Sequence, residues 1–213
     1  APSVPRFALQ FCREVSGMSW HAIHLSDVPA TPWRNGGGVT RELAAWPAQG
    51  EWHWRMSVAE VGSSGPFSRF DGITRWFAVL AGAGVVLNVR TPSDDDELGS
   101  CEHRLTMADA PLCFDGGAAT ACQLIDGPTQ DFNLMVRDSS LPARMLRVLG
   151  DFHTAVSGTK TIAVYAIDTG ASVRFNEEEL YVPPATLVWR TLSKSATVEV
   201  RAPHALWMEV SST

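Results

Sequence analysis

The sequence predicts an all-β fold, built as an antiparallel sandwich or barrel. Three observations support this prediction: apolar residues recur at a period close to two, the apolar runs are short, and glycine, proline or Asp/Ser clusters separate them. These runs follow one another without intervening helices, as in sandwiches and barrels. With 213 residues and 45% hydrophobic content, the chain can form one large β domain or two small ones around a buried core.

The predicted strands follow the alternating runs in chain order. In the first part of the chain they are 20–25, 52–61, 74–80, 85–89, 103–107, 112–114 and 120–125. In the second part they are 132–137, 145–149, 161–167, 172–175, 187–191, 197–200 and 206–210. Two segments, 141–148 and 177–181, leave room for a helical turn.

A loose internal repeat suggests two related halves. Residues 79–87 form an apolar strand, a glycine turn and a second strand, and an apolar stretch follows at 111–114. Residues 164–173 and 185–189 repeat this order in the second half. Such a repeat is typical of jelly rolls, so we predict two β modules that share one core and join near residues 126–131.

Charge and composition exclude several classes of partner. The formal net charge is −6 and no segment carries a basic stripe, so we expect no nucleic-acid partner and no acidic membrane surface. No stretch approaches transmembrane length. The four cysteines lack Cys-x-x-Cys spacing, which argues against a zinc ribbon or a thioredoxin-type pair and favours reduced thiols in the cytoplasm.

The first seventeen residues differ from the rest. They contain neither a continuous apolar run nor a small-residue cleavage site, so we do not expect a secretory signal. The first alternating segment begins just after Met18, which makes Met18 a plausible natural start. We therefore interpret residues 1–17 as an upstream extension or a cloning remnant.

The run PWRNGGGVTRE at residues 32–42 is the most informative stretch of the chain. Three consecutive glycines permit positive φ angles and a close approach of a ligand or a second strand. Polar side chains flank this permissive backbone on both sides, which favours a binding loop. A glycine-rich surface turn whose charged residues pair with one another is the alternative. The spacing does not match known phosphate-binding loops.

Two predicted strands each carry a polar face. In residues 52–59, alternation places Arg55 and Ser57 opposite an apolar face. In residues 131–137, it does the same for Asn133 and Arg137. Solvent exposure is the default for such faces, but arginine and asparagine are orienting donors that are unusual there. Because an arginine fork binds a carboxylate through two hydrogen bonds, Arg41 and Arg55 in one cavity would suit a dicarboxylate or an amino-acid-like ligand.

The sequence offers no recognisable metal or nucleophile motif. The six histidines do not form the His-x-His arrangement followed by a glutamate that would place ligands together, so we expect no metal and no cofactor. The acidic run 94–97 is interpreted as a solvated loop. No Gly-x-Ser-x-Gly motif surrounds a serine, and no catalytic residue is assigned. The segment 63–70 is predicted to form a rigid turn that serves as a rim or lid over the cavity.

Four motifs in order resemble the HutD/Ves family. They are residues 32–42, WRMSVA at 54–59, GPFSRFDG at 65–72, and DFNLM at 131–135 with Arg137. The resemblance extends from about Met18 through Arg137 and more loosely to the end of the chain. Residues 1–17 fall outside it.

This resemblance implies a cupin-like (RmlC-like jelly-roll) fold with two β-barrel-like modules in one chain, a bicupin, divided into residues 18–125 and 126–213. It also implies a metal-independent binder in histidine utilisation, with a sensing or regulatory role. The expected ligand is a small carboxylate of histidine catabolism, namely formylglutamate, formiminoglutamate or urocanate. By motif, the expected binding residues are Trp33, Asn35, Arg41, Glu42, Arg55, Ser57 and Asn133.

An enzymatic alternative remains open. A cupin-type hydrolase or isomerase could act on a related small carboxylate with Glu42 or His53 as acid and base. Exposed sheet edges would also allow a homodimer.

Overall fold

The computed structural model describes residues 19–91, 99–137 and 142–211. Apart from a short 3-10 turn at Leu25–Asp27, the regular elements in these residues are all strands, so the all-β prediction is confirmed. The strands are β1 His21–His24, β2 Thr31–Pro32, β3 Gly38–Trp46, β4 Trp54–Val61, β5 Gly65–Pro66, β6 Ile73–Ala81, β7 Val85–Thr91, β8 Gly99–Leu105, β9 Leu112–Asp115, β10 Ala119–Leu124, β11 Thr129–Arg137, β12 Ala143–Val156, β13 Lys160–Ala166, β14 Ala171–Phe175, β15 Glu178–Val182, β16 Thr186–Leu192 and β17 Ala196–Ser211.

Some boundaries differ from the predictions. Both segments considered for a helical turn contain strands, because β12 begins at Ala143 and β15 at Glu178. Strand β3 was not predicted: its polar residues hide the apolar alternation, and a shift in pairing follows Glu42. The expectations for residues 1–17, for the acidic run 94–97 and for Leu141 lie outside the described residues.

The strands form three antiparallel sheets. The first has six strands in the order β2-β3-β4-β11-β6-β9, and the second has four in the order β5-β10-β7-β8. The third has the order β1-β16-β13-β17-β14-β15, with β12 also paired to β17. Strand β1 joins this third sheet through its pairing with β16, although every other member comes from residues 143–211.

Three apolar clusters hold the sheets together. One lies between the six-stranded sheet and the third sheet, where the rings of Phe132 and Tyr165 are 5.1 Å apart. A second lies between the six-stranded and four-stranded sheets and includes Phe77 and Leu87. The third consists of residues from the third sheet alone, including Trp207, so that sheet curves around its own interior.

The six-stranded sheet therefore contacts a neighbour on each face. On β4, Met56 and Val58 point into the cluster shared with the third sheet, while Arg55 and Ser57 point to the opposite face, as the alternation predicts. Strand β11 lies at the centre of this sheet between β4 and β6. A division of the chain after residue 125 would separate β11 from both strands with which it pairs.

The described residues include no helix that is both long and apolar enough to cross a membrane.

We expect Phe132→Ala to destabilise the protein strongly. Phe132 is fully buried between two sheets, so its truncation leaves a cavity and should lower the free energy of unfolding by about 3–5 kcal/mol. Urea denaturation measures this loss. Leu149→Ala is the control, because Leu149 is 61% exposed and its truncation should change the free energy by less than about 0.5 kcal/mol. Equal effects of the two substitutions would contradict the assignment of this core.

Candidate functional site

A cavity of about 680 Å³ lies on the face of the six-stranded sheet that points away from the third sheet. Strands β3, β4, β6 and β11 supply its floor, and residues 31–35 and 66–70 form its rim. Its volume falls in the range of small-molecule sites. Its charged and amide-bearing lining residues in the described chain are Arg34, Asn35, Glu42, Arg55, Arg75 and Asn133.

Most of the sequence-predicted binding residues meet in this cavity. The pairing register explains the convergence, because Glu42 lies opposite Ser57 and Ser57 lies opposite Asn133 on the next strand. Side chains at facing register positions share one face of a sheet. The predicted residues that line the cavity are Trp33, Asn35, Glu42, Arg55, Ser57 and Asn133.

Arg41 lies elsewhere. Its Nη1 donates a hydrogen bond to the carbonyl of Val28 at 2.6 Å, and its Nε lies 3.3 Å from a carboxylate oxygen of Glu60. Neighbouring residues of a strand point to opposite faces, so Arg41 cannot share the face of Glu42. The sequence reasoning proposed that Arg41 and Arg55 share one cavity. The structure places only Arg55 there.

Arg75 is a cavity residue that the sequence reasoning missed. It lies on β6 and is only 6% exposed. Its Nε donates a 2.9 Å hydrogen bond to Oδ1 of Asn133, and its guanidinium lies 4.5 Å from the ring centre of Phe67. Burial lowers the pKa of Arg75 to about 10, a pKa at which the side chain stays cationic near neutral pH. A single cation in the apolar strand β6 was the signal that could have identified it.

The other two cavity arginines differ in their surroundings. Nε of Arg55 lies 2.6 Å from Oε2 of Glu42 in an ion pair whose N–H is poorly aligned for a hydrogen bond. Arg34, which the sequence reasoning did not assign, is exposed at the rim. The cavity thus combines one buried, one paired and one exposed guanidinium.

Asp131 is buried on the same face of β11 as Asn133, although it does not line the cavity itself. It has no solvent exposure, and its Oδ2 accepts a 2.9 Å hydrogen bond from the hydroxyl of Thr129. Its Oδ1 has no hydrogen-bond partner among the described residues. Burial raises the pKa of Asp131 to about 7, against the opposing effects of Thr129 and Arg75.

The glycine-rich run is both a tight hairpin and part of the cavity wall. The N–H of Trp33 donates to the carbonyl of Gly38 at 2.9 Å, and Oδ1 of Asn35 accepts from the N–H of Gly37 at 3.1 Å. Gly36 has φ of 71°, and a Cβ on Gly38 would lie only 2.4 Å from the carbonyl oxygen of Glu60. The glycines therefore serve the backbone, while the side chains before them line the cavity.

The segment after Gly65 forms the opposite rim, in agreement with the sequence interpretation. Pro66 pairs with Ala121 of β10, and the N–H of Phe67 donates to the carbonyl of Thr120. The ring of Phe67 makes an edge contact with Trp33 at 6.2 Å. Two aromatic rings thus meet across the cavity.

Metal ligands are not clustered in the described part of the chain. No group of three or more His, Cys, Asp or Glu residues there could hold a metal ion. His53, one of the two acid/base candidates, is exposed, precedes β4 and does not line the cavity. Metal independence itself stays a prediction.

Comparisons with known proteins agree with the arrangement of motifs. A family model described as HutD matches residues 25–208. The chain belongs to the HutD family. The HutD-family chain is 31% identical over 160 residues to an uncharacterised 21.2 kDa protein in the hutC 3' region of Pseudomonas putida, a match that covers 74% of this chain and 79% of the relative. It is 34% identical over 120 residues to protein Ves of Escherichia fergusonii, with 55% of this chain and 58% of Ves covered.

Solved structures place the HutD-family chain in a cupin-like fold. HutD from Pseudomonas fluorescens SBW25 superposes with a TM-score of 0.75 at 28% identity, and the match covers 92% of this chain and all of that one. Oxalate decarboxylase from Lactobacillus farciminis superposes with a TM-score of 0.62 at 9% identity, over 93% of this chain and 86% of the other. At that identity the second match concerns the fold alone.

We expect Gly38→Ala to destabilise this HutD-family protein. The new Cβ would meet a backbone carbonyl that cannot move without breaking the pairing of β3 with β4, so the loss should be about 1–3 kcal/mol. Thermal and urea unfolding measure it. Gly99→Ala is the control, because a Cβ at Gly99 would meet no atom of the described residues within 4 Å. A destabilisation by Gly99→Ala as large as that by Gly38→Ala would refute the steric explanation.

We expect Asp131 to make stability depend on pH. Its folded pKa of about 7 lies above the ordinary aspartate value of 3.8, so its contribution to stability is fully present below about pH 4 and is lost as the pH rises through 7. Asp131→Asn removes this titration. Between pH 4 and 8, the variant should therefore gain free energy of unfolding relative to the parent chain as the pH rises. A constant difference between the two proteins in urea denaturation would contradict this.

Proposed function

We propose that this HutD-family protein binds a small carboxylate in the cavity, without a metal, and acts in histidine utilisation as a sensing or regulatory protein. The observation that carries the proposal is the charge of the cavity. Three arginines and one glutamate line it among the described residues, giving a net charge of about +2 in a chain whose formal net charge is −6. A concentration of positive charge inside an acidic protein favours an anionic ligand.

Arg75 provides the strongest argument for this ligand class. Burying a guanidinium is costly unless it is paired or hydrogen-bonded. Asn133 is its one hydrogen-bond partner in the described residues and uses only Nε. A ligand carboxylate could accept from the remaining N–H groups, and charge-assisted bonds of this kind are about twice as strong as neutral ones.

The other side chains complete a plausible binding surface. Phe67 holds the guanidinium of Arg75 from one side, and Trp33 offers an apolar wall on the rim. Ser57 contributes a hydroxyl that is buried in the floor. Arg55 stands beside Glu42, so a ligand that carries both a carboxylate and an N–H group could contact each of them.

Family membership supports the pathway part of the proposal. The chain matches the HutD model over most of its length, and the Pseudomonas relatives carry the hut designation in their descriptions. On the resemblance, formylglutamate, formiminoglutamate and urocanate are the ligands to test. All three are carboxylates, in agreement with the arginines of the cavity.

A thermal-shift screen of these three metabolites, followed by calorimetric titration, tests the proposal. A true ligand at one hundred times its dissociation constant should add about 2.7 kcal/mol of stability. Arg55→Gln should weaken binding by about tenfold or more, because a charge-assisted contact is lost. Arg41→Gln is the matched control on the neighbouring strand and should leave the affinity unchanged, since Arg41 lies outside the cavity.

Three outcomes would count against the proposal. Absence of binding by all three metabolites would remove the ligand class. Equal loss of affinity in Arg55→Gln and Arg41→Gln would place the site elsewhere. Loss of binding after treatment with EDTA would contradict metal independence.

The enzymatic alternative now depends on Glu42. It is the one carboxylate among the described lining residues, whereas His53 does not line the cavity. A hydrolase or isomerase that uses Glu42 should turn over a bound metabolite, and Glu42→Gln should abolish turnover while the ligand still binds. Chromatography of the incubated metabolites decides between the binder and the enzyme.

The finer architectural predictions are also proposals. Two cupin-like modules, 18–125 and 126–213, are supported by separate apolar clusters within residues 67–122 and 148–207, although β11 pairs with strands of the first part. A homodimer and a cytoplasmic location stay predictions from the sequence.

A further inference from the structure

Asp131 stands out as a buried carboxyl group that the proposed binding role does not use. It lies two residues before Asn133, on the face of β11 that points away from the third sheet. Oδ1 of Asn133 accepts a 2.9 Å hydrogen bond from Nε of Arg75. Asp131 and Arg75 interact electrostatically, since the carboxylate favours the charged guanidinium. One oxygen of Asp131 has a partner in Thr129, and the other has none in the described chain. The face of β11 that carries Asn133 therefore also carries a buried acidic group that acts electrostatically on the cation a ligand would need.

We propose that Asp131 takes up a proton when a carboxylate binds in the cavity, so that the protein holds its ligand more tightly at lower pH. This inference rests on the proposed function. Ionised Asp131 and the ligand carboxylate compete for the same guanidinium of Arg75 and repel one another. Binding of the ligand therefore favours the neutral form of Asp131, and by thermodynamic reciprocity the neutral form favours the ligand.

The ionisable groups around Asp131 keep one charge state near pH 7, so Asp131 is the residue expected to titrate there. On β10, burial raises the pKa of the Cys122 thiol to about 12, so it stays neutral near pH 7. On β6, Arg75 stays cationic, and Val79 faces Asp131 in the pairing of β11 with β6. On β4, the facing residue is Ala59.

The charged pair of Arg55 and Glu42 lies further along the same cavity. The positive charges of Arg55 and Arg75 repel each other. Together they create a positive potential that a bound anion would neutralise. No histidine lines the cavity in the described residues. The pH dependence of binding should therefore follow Asp131.

Calorimetric titration with formylglutamate tests the coupling. Its carboxyl groups are fully ionised above pH 5.5, so the ligand itself does not titrate in the range used. We expect the dissociation constant to rise by about tenfold between pH 6 and pH 8.5, a typical size for coupling between two sites. At pH 7, titrations in two buffers of different ionisation enthalpy should show net uptake of about half a proton.

Asp131→Asn should remove both effects. The amide still accepts from Thr129 but cannot ionise, so the variant should bind at pH 8.5 with nearly the affinity of the parent chain at pH 6. Asp109→Asn is the matched control, because Asp109 is exposed, lies outside the cavity and has its pKa lowered by hydrogen bonds from Thr106. This control should retain the pH dependence of the parent protein.

The outcomes separate the two proposals. Binding with a pH-independent dissociation constant and no proton uptake overturns the role of Asp131 and leaves the proposed function intact. Proton uptake that persists in Asp131→Asn overturns it as well. Absence of binding by formylglutamate, formiminoglutamate and urocanate at every pH contradicts both proposals, whereas absence of binding by formylglutamate alone moves the same titrations to whichever of the other two binds. If Asp131→Asn fails to fold, Thr129→Val takes its place: it removes the hydrogen bond that lowers the pKa of Asp131, so the pH dependence of binding should move to higher pH, and an unmoved pH dependence overturns the proposal.

Discussion

The alternation of side chains along β4 and β11 is the constraint on which the rest of the structure depends. These two central strands are covered on both faces over most of their length, since one face contacts the third sheet and the other lines the cavity. Phe132 and Asn133 are neighbours in sequence, yet one belongs to the core and the other to the site. A slip of one residue in register would exchange the two roles, so the core that stabilises the fold also fixes the position of every floor residue.

The buried guanidinium of Arg75 shows how the fold supports a charge in an apolar place. Phe67, Phe77 and Phe114 all offer ring faces within 6.0 Å of it, and Asn133 fixes its Nε. Aromatic faces attract a cation without competing for its N–H groups. The arrangement keeps the guanidinium oriented, so binding need not first order a flexible side chain, and this lowers the entropic cost of association.

Local patterns were sufficient for much of this site but not for all of it. Period-two alternation on β4 correctly separated Arg55 and Ser57 from the core face, because a regular strand needs no tertiary information. It failed for Arg41, since β3 was not recognised as a strand and the parity of its residues could not be assigned. Arg75 required knowledge of which sheet covers β6. The burial of Asp131 likewise depends on neighbours far away in the sequence, and no local pattern contains that information.

The pairing of β1 with β16 has a consequence for the order of folding. His21 lies opposite Trp189, and their rings stack with centres 5.0 Å apart. Strands joined over such a separation raise the contact order of the fold, and their pairing costs loop-closure entropy before it stabilises anything. During synthesis, β1 leaves the ribosome long before β16 is made. Until then, the backbone N–H and C=O groups of β1 hydrogen-bond to water or to temporary partners. The third sheet is therefore complete only when β1 adds to the exposed edge of β16, a strand that comes much later in the sequence.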